Sequence, residues 1–204
     1  MTRPILLTMT AALWAGAAFA SEDIADKYPQ SVLYNKPVEV IPHVWSSIGA
    51  TAPPTYENAG HNNNLSFIIT GDGVVVINSG ASYKLAEALH AEIRERTDQP
   101  VKLVIAENGQ GHAMLGNNYW IEQDVPVLAH VDAAHEYEKD AGQGLQALQN
   151  YARENAEGTV PMAPTLTFTD RYDASMGDFR IEVLHLGPAH SAGDTQVWLP
   201  EQSL

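Results

Sequence analysis

Cysteine is absent from all 204 residues, and its absence removes disulfides, thiolate metal sites and a cysteine nucleophile together. Any transition-metal site must therefore be built from histidine, carboxylate or weaker oxygen donors. Basic residues are scarce: 11 Lys and Arg face 25 Asp and Glu, for a formal net charge of -14. Such a surface repels phosphate backbones and anionic lipid, and no basic cluster offsets it, so nucleic acid is not an expected partner. Beyond the first twenty residues no apolar run is long enough to span a bilayer. No internal repeat is present either. What remains is 45% hydrophobic and 18% charged, which suits one ordinary globular domain with a real core.

The N-terminus has the grammar of an export signal. Arg3 supplies the positive start, residues 5–19 are mainly apolar, and Ala18-Phe19-Ala20 places small residues where a signal peptidase reads. Ser21-Glu22-Asp23 then turns abruptly polar. Residues 1–20 are therefore expected to be a cleaved signal peptide, making the mature chain periplasmic or secreted and leaving no membrane attachment. Residues 21–37 read as an irregular leader, and 38–204 as the folded domain.

Within that domain, residues 38–47 (VEVIPHVWSS) read as a first strand, and the Pro-, Gly- and Asn-rich stretch 51–64 reads as a loop. Residues 65–70 (LSFIIT) form a strand, Gly71-Asp72-Gly73 a turn, and the continuous apolar run 74–77 (VVVI) a strand buried on both faces. Ser82 can cap a helix to about residue 97, with Leu85, Leu89 and Ile93 as its apolar stripe. Strands are further expected at 101–106, 125–129, 165–168, 179–185 and 195–199. Helices are expected at 114–123 and at 133–157, the latter interrupted near Gly142-Gln143-Gly144. Hairpins followed by alternating strand–helix units indicate an α/β domain, a mixed sheet with helices on a face. Segments 65–70, 74–77 and 101–106 should be neighbours in one sheet, with the 82–97 helix packed on it.

Two loops at strand ends draw attention. The first is Glu107-Asn108-Gly109-Gln110-Gly111-His112, between a buried strand and a helix. If it stays extended, Asn108, Gln110 and His112 point one way and Glu107 the other. Taken alone, it also reads as a glycine-rich turn whose polar residues cap the next helix. The second loop is Leu186 to Asp194, in which His190 sits between a Gly-Pro and a Gly-Asp turn with strands on both sides. Rigid flanks suit a metal ligand or a general base, although a locally bonded loop histidine fits too. Elsewhere, Asp132 is expected to cap the helix that follows His130. His43, Trp45 and His185 are expected on strands as packing residues. Ser79 and Ser191 lack the Gly-x-Ser-x-Gly elbow of a nucleophile.

Taken together, LSFIITGDGVVVINSG, VKLVIAENGQGHAMLGN and LGPAHSAGDTQVWLP resemble, in that order, the metallo-β-lactamase superfamily over residues 43–200. The last segment is similar to the family's Gly-x-x-His-x-x-Gly-Asp loop and puts His190 at a metal-ligand position. The resemblance implies a four-layer αββα sandwich. It also implies zinc-dependent hydrolysis of small ester, amide or thioester substrates, with zinc as the cofactor and a small molecule as the partner.

The sequence departs from that family in the ligands themselves. Against the motif His-x-His-x-Asp-His, counting back from Leu115-Gly116-Asn117 puts Asn108 and Gln110 at the first two histidines, His112 at the aspartate and Ala113 at the last histidine. Inserting one residue moves His112 to the last histidine and Gly111 to the aspartate. In both registers most ligands are missing, which leaves His112 and His190 as the metal candidates. Glu107 becomes an extra carboxylate only if its loop twists. Asn78 stands where the family has an aspartate, and the family's second half, with its further ligands, is expected to be missing after Leu204. The expectation is thus a hydrolase relative with an altered or incomplete metal site; the alternatives are a non-catalytic binding module on the same fold and a truncated inactive fragment.

Overall fold

The structure is a computed structural model and describes residues 27–204. The expected signal peptide and the first part of the leader lie outside the described residues. What remains of the leader is irregular but not detached. Its Leu33 and Tyr34 are buried, and Leu33 belongs to the main core.

Among the described residues, ten strands form two sheets. The larger has seven strands in chain order: β1 (Val38–Ile41), β2 (Val44–Ser47), β3 (Leu65–Ile69), β4 (Val74–Ile77), β5 (Val101–Ile105), β6 (Val127–His130) and β7 (Leu166–Phe168). The pairs from β1 to β4 are antiparallel, and those from β4 to β7 are parallel. The change of direction at β4 has a simple cause. A short turn such as residues 70–73 can only reverse the chain, whereas the parallel pairs need the helices α1 (Tyr83–Arg94), α2 (Gly111–Met114), α3 (Asn117–Glu122) and α4 (Val131–Ala152) as crossovers. The smaller sheet is antiparallel, in the order β10 (Gln196–Trp198), β9 (Phe179–Leu184), β8 (Arg171–Met176).

The neighbours β3, β4 and β5 lie as their sequences indicate. Val74, Val75 and Val76 are all fully buried, because alternate residues of β4 serve two different cores. Val74 and Val76 face α1, packing with Leu85, Leu89, Ile93 and Trp120. Val75 faces the smaller sheet, in a cluster with Ile68, Leu103, Ile105, Ile181 and Val183. A third cluster joins α2 and α4 through Ala113, Met114, Ala133, Tyr137 and Leu148. The layers described are helices, seven-stranded sheet, three-stranded sheet; among the described residues no helix covers the outer face of the smaller sheet.

Four local expectations are corrected. The first strand is a hairpin, because His43 adopts a left-handed φ of 71° and turns β1 back as β2; His43 is therefore a turn residue. The helix expected at 114–123 is split into α2 and α3 at Leu115–Gly116. Gly116 lies so close to Ser79 that a Cβ there would stand 2.3 Å from the Ser79 carbonyl oxygen. Helix α4 runs through Gly142 and Gly144 without interruption, held by buried Ala141, Leu148 and Ala152 on one face. Its cap is the His130 ring, which accepts the Asp132 amide N–H, rather than the Asp132 carboxylate.

Candidate functional site

Parallel strands end at one edge of the sheet, and the loops that leave them gather there. Strand β5 delivers Glu107, and the chain then turns into α2 at Gly111. The loop is not extended. Asn108 bends back on it, its side-chain oxygen accepting the Gln110 amide N–H at 3.0 Å. This twist brings Glu107 round to His112, with a carboxylate oxygen 3.5 Å from His112 Nε2. The Asn108 side-chain nitrogen lies 3.4 Å from the same ring atom.

Asn78 anchors the base of this arrangement. It ends β4 in a left-handed conformation, φ 68°, that asparagine tolerates better than most residues. Its side-chain oxygen accepts the Glu107 amide N–H at 3.0 Å, and its side-chain nitrogen donates to the Asn64 carbonyl at 3.2 Å. An amide can do both, whereas an aspartate could only accept. Burial pushes the Glu107 carboxyl up, but hydrogen bonding to His112, Asn78 and Asn63 outweighs it and holds the group below its ordinary range. Glu107 is therefore an anion at neutral pH.

The second loop is organised by Asp194. Its carboxylate accepts the backbone N–H of His190, the backbone N–H of Ser191 at 3.0 Å and the Ser191 hydroxyl at 2.8 Å. Burial pushes this carboxyl up too, and the same donors outweigh it and hold it low. Two contacts carry the loop to the first one. Thr195 N–H donates to the Glu107 carbonyl at 2.7 Å. Exposed His190 donates through Nε2 to the Gln110 side-chain oxygen at 3.2 Å. Both loops also press on one residue, Ala133, in the first turn of α4. A Cβ on Gly109 would stand 2.4 Å from the Ala133 oxygen, and one on Gly193 would stand 2.2 Å from its nitrogen. Those two glycines are required for close approach, not for a special φ.

His112 and His190 are thus brought to one edge through different partners, His112 against Glu107 and Asn108, His190 against Gln110. Ser191 serves Asp194, and Ser79 donates its hydroxyl to the Ala113 carbonyl at 2.8 Å, so both hydroxyls are structural. His185 follows the end of β9 and stacks on His130, a pairing not visible in the sequence. The organising role of Asp194 was signalled only by its place in a Gly-Asp turn.

A catalytic zinc site normally offers three protein donors of the His, Cys or carboxylate kind, plus water. Among the described residues no group of three or more His, Cys, Asp or Glu side chains is placed to hold a metal ion. The neighbours that fill the gaps, Asn108 and Gln110, are neutral amides, poor partners for zinc. The residues present do not fit a catalytic zinc.

No family model matches the sequence, and no curated protein matches it. Solved structures do. A metallo-β-lactamase from Pontibacter korlensis is similar with a TM-score of 0.58 at 24% identity, over 81% of this chain and 67% of that one. The strand order, the helix-covered sheet facing a smaller sheet, and this likeness give the chain the metallo-β-lactamase fold.

Proposed function

We propose that the protein is an exported relative of the metallo-β-lactamase-fold hydrolases whose strand-end site binds a small molecule but holds zinc weakly. The observation that carries this reading is the donor set. His112 and His190 stand with Glu107, Asn108 and Gln110, so two imidazoles and one carboxylate on separate partners replace a converging triad. Without a tightly held zinc, no bound water is made acidic at neutral pH, and ester, amide or thioester hydrolysis is slow. A purely binding role is the second reading. It is favoured by the amides of Asn108 and Gln110, which offer hydrogen bonds without charge.

Metal analysis tests the first reading. After dialysis the protein should carry well under one zinc per chain, and His190→Ala should remove most of what remains. Because His190 is exposed, that variant should keep its stability to within about 0.5 kcal/mol. Turnover of ester, amide and thioester substrates should stay near background with or without added zinc. Stoichiometric zinc surviving both dialysis and His190→Ala would show that the site is elsewhere, and zinc-dependent turnover would restore a full hydrolase. Export has its own test. Secreted material should begin at Ser21, and mature protein retaining Met1 in the cytoplasm would refute it.

A further inference from the structure

Seven strands face three, so the smaller sheet does not cover the whole inner face of the larger one. Its cover stops at the edge strand β10, and a cleft of about 410 Å³ opens there between β10 and β1–β4. That is the size of a small-molecule pocket. Val44, Ile68 and Ile77 form one wall, and Val197 and Leu199 face them. Val40 and Ile48 also line the cleft, yet they are 48% and 41% exposed, so it is open to solvent on the β1 side.

The polar groups of the cleft gather at one end. Ser66 pairs with Ser46 on one side and Ile77 on the other, and its hydroxyl donates to the Ser46 oxygen at 2.9 Å. Ile77 precedes Asn78, the residue that holds Glu107. Thr195, which donates its N–H to the Glu107 carbonyl, begins the run of β10 away from that point toward Leu199. Ser46, Ser66 and Thr195 therefore lie near Glu107, whereas Val44, Ile68 and Leu199 lie farther along. The Glu107 side chain lines the cleft as well and is 38% exposed. No lysine or arginine is among the lining residues.

We propose that this cleft seats a small aliphatic ammonium compound, its chain lying between β10 and β2–β4 and its head reaching the Glu107 carboxylate. The inference rests on the reading that the strand-end site binds a small molecule, and it names the class. A carboxylate can only accept hydrogen bonds, and an ammonium group offers three donors and the opposite charge. The acidic surface adds a general attraction for cations. An anionic head would meet Glu107 with no base to offset it. The chain, for its part, gains by leaving water, about threefold in affinity for each methylene buried.

Backbone-amide NMR titration of the protein with hexylammonium, propylammonium, hexanol and hexanoate tests this. Hexylammonium should shift the amides of residues 66–68, 77, 107 and 196–199. It should bind about 30-fold more tightly than propylammonium and about tenfold more tightly than hexanol, and hexanoate should leave those signals unmoved. Glu107→Gln should bring hexylammonium down to the level of hexanol. Ser66→Leu fills the cleft from one wall and Val197→Phe from the other; whichever of them folds should weaken hexylammonium and hexanol alike by about tenfold or more. Affinity independent of chain length would reduce the effect to the acidic surface and overturn the proposal. So would hexanoate binding as well as hexylammonium, or a preference for the amine that survives Glu107→Gln. Cleft signals that move on dilution rather than on adding the amine would give the cleft to a second copy of the chain. Shifts confined to residues 108–112 and 190 would keep a small-molecule site at the strand ends and overturn the cleft as its extension.

Discussion

The helix-facing side of the large sheet and the edge where its strands end are held together on opposite terms. The first is mainly apolar, with Val74, Val76, Leu85, Leu89, Ile93 and Trp120 filling the space between β4 and the helices. Its stability comes from volume, and almost any atom removed leaves a void. The second is a set of loops joined by Asn78, Glu107, Asp194 and Thr195 through hydrogen bonds, with backbone pressed on backbone at Ala133. Apart from buried Asn78, the side chains there are half-buried and reached by water, whereas the glycines between them have no room for a Cβ. The same protein is therefore intolerant of lost side chains in one region and of added side chains in the other.

Truncation in the first region should give the largest effect. Trp120 is fully buried and its indole N–H donates to the Ser79 carbonyl at 3.3 Å. Trp120→Ala should cost about 4 kcal/mol in denaturant unfolding. A loss below about 1 kcal/mol would show that the helix-facing core is not packed as described.

A comparable effect needs no mutation. His61 is fully buried in the loop before β3, its Nδ1 accepting the Tyr34 N–H at 2.9 Å and its Nε2–H facing the Ser47 carbonyl at 3.3 Å. Burial lowers its pKa from 6.5 to about 4 despite the backbone bonds that raise it. The unfolded chain thus binds the proton more readily than the folded one. Stability is full above about pH 6.5 and falls as the pH drops toward 4, by about 3 kcal/mol in all. Unfolding midpoints measured from pH 7 to pH 4 should trace that slope. His61→Gln should flatten it, and a variant as acid-sensitive as wild type would assign the slope to other groups.

The smallest effect belongs to the edge. Asp194→Ala removes the acceptor for His190 N–H, Ser191 N–H and the Ser191 hydroxyl, yet water can reach the loop. The expected loss is about 1 kcal/mol, read from the same denaturant curves. A loss as large as that of Trp120→Ala would mean that the edge is as rigidly built as the core.

That contrast also explains what could be read from the amino acids. The helix-facing core was legible because its signals are local: the run VVVI, and Leu85, Leu89 and Ile93 one helical turn apart. Strand β8 was not foreseen, since RYDASM alternates half-buried and exposed residues and acquires its meaning only by pairing with β9. Helix α4 was expected to break at Gly142, but a Cβ there would meet nothing within 4 Å, so the glycine lowers propensity without ending the helix. At the site, the candidates His112 and His190 stood out by their loops. Their partners did not, because the Gln110–His190 contact joins residues 80 apart in sequence and the approach of Glu107 to His112 depends on a turn made by Asn108.

The placement of Gly109 and Gly193 on either side of the Ala133 backbone has a further consequence for how the molecule can change. Beyond their own anchors at Asn78 and Asp194, the two loops share one pivot. A mutation that rotates or lifts the first turn of α4 will carry Gln110 and His190 along together, keeping their mutual spacing while shifting both against β4 and Asn78. Adjustment of the strand-end edge by replacements inside α4 is therefore open to this protein, whereas adjusting one loop alone would have to work against the other.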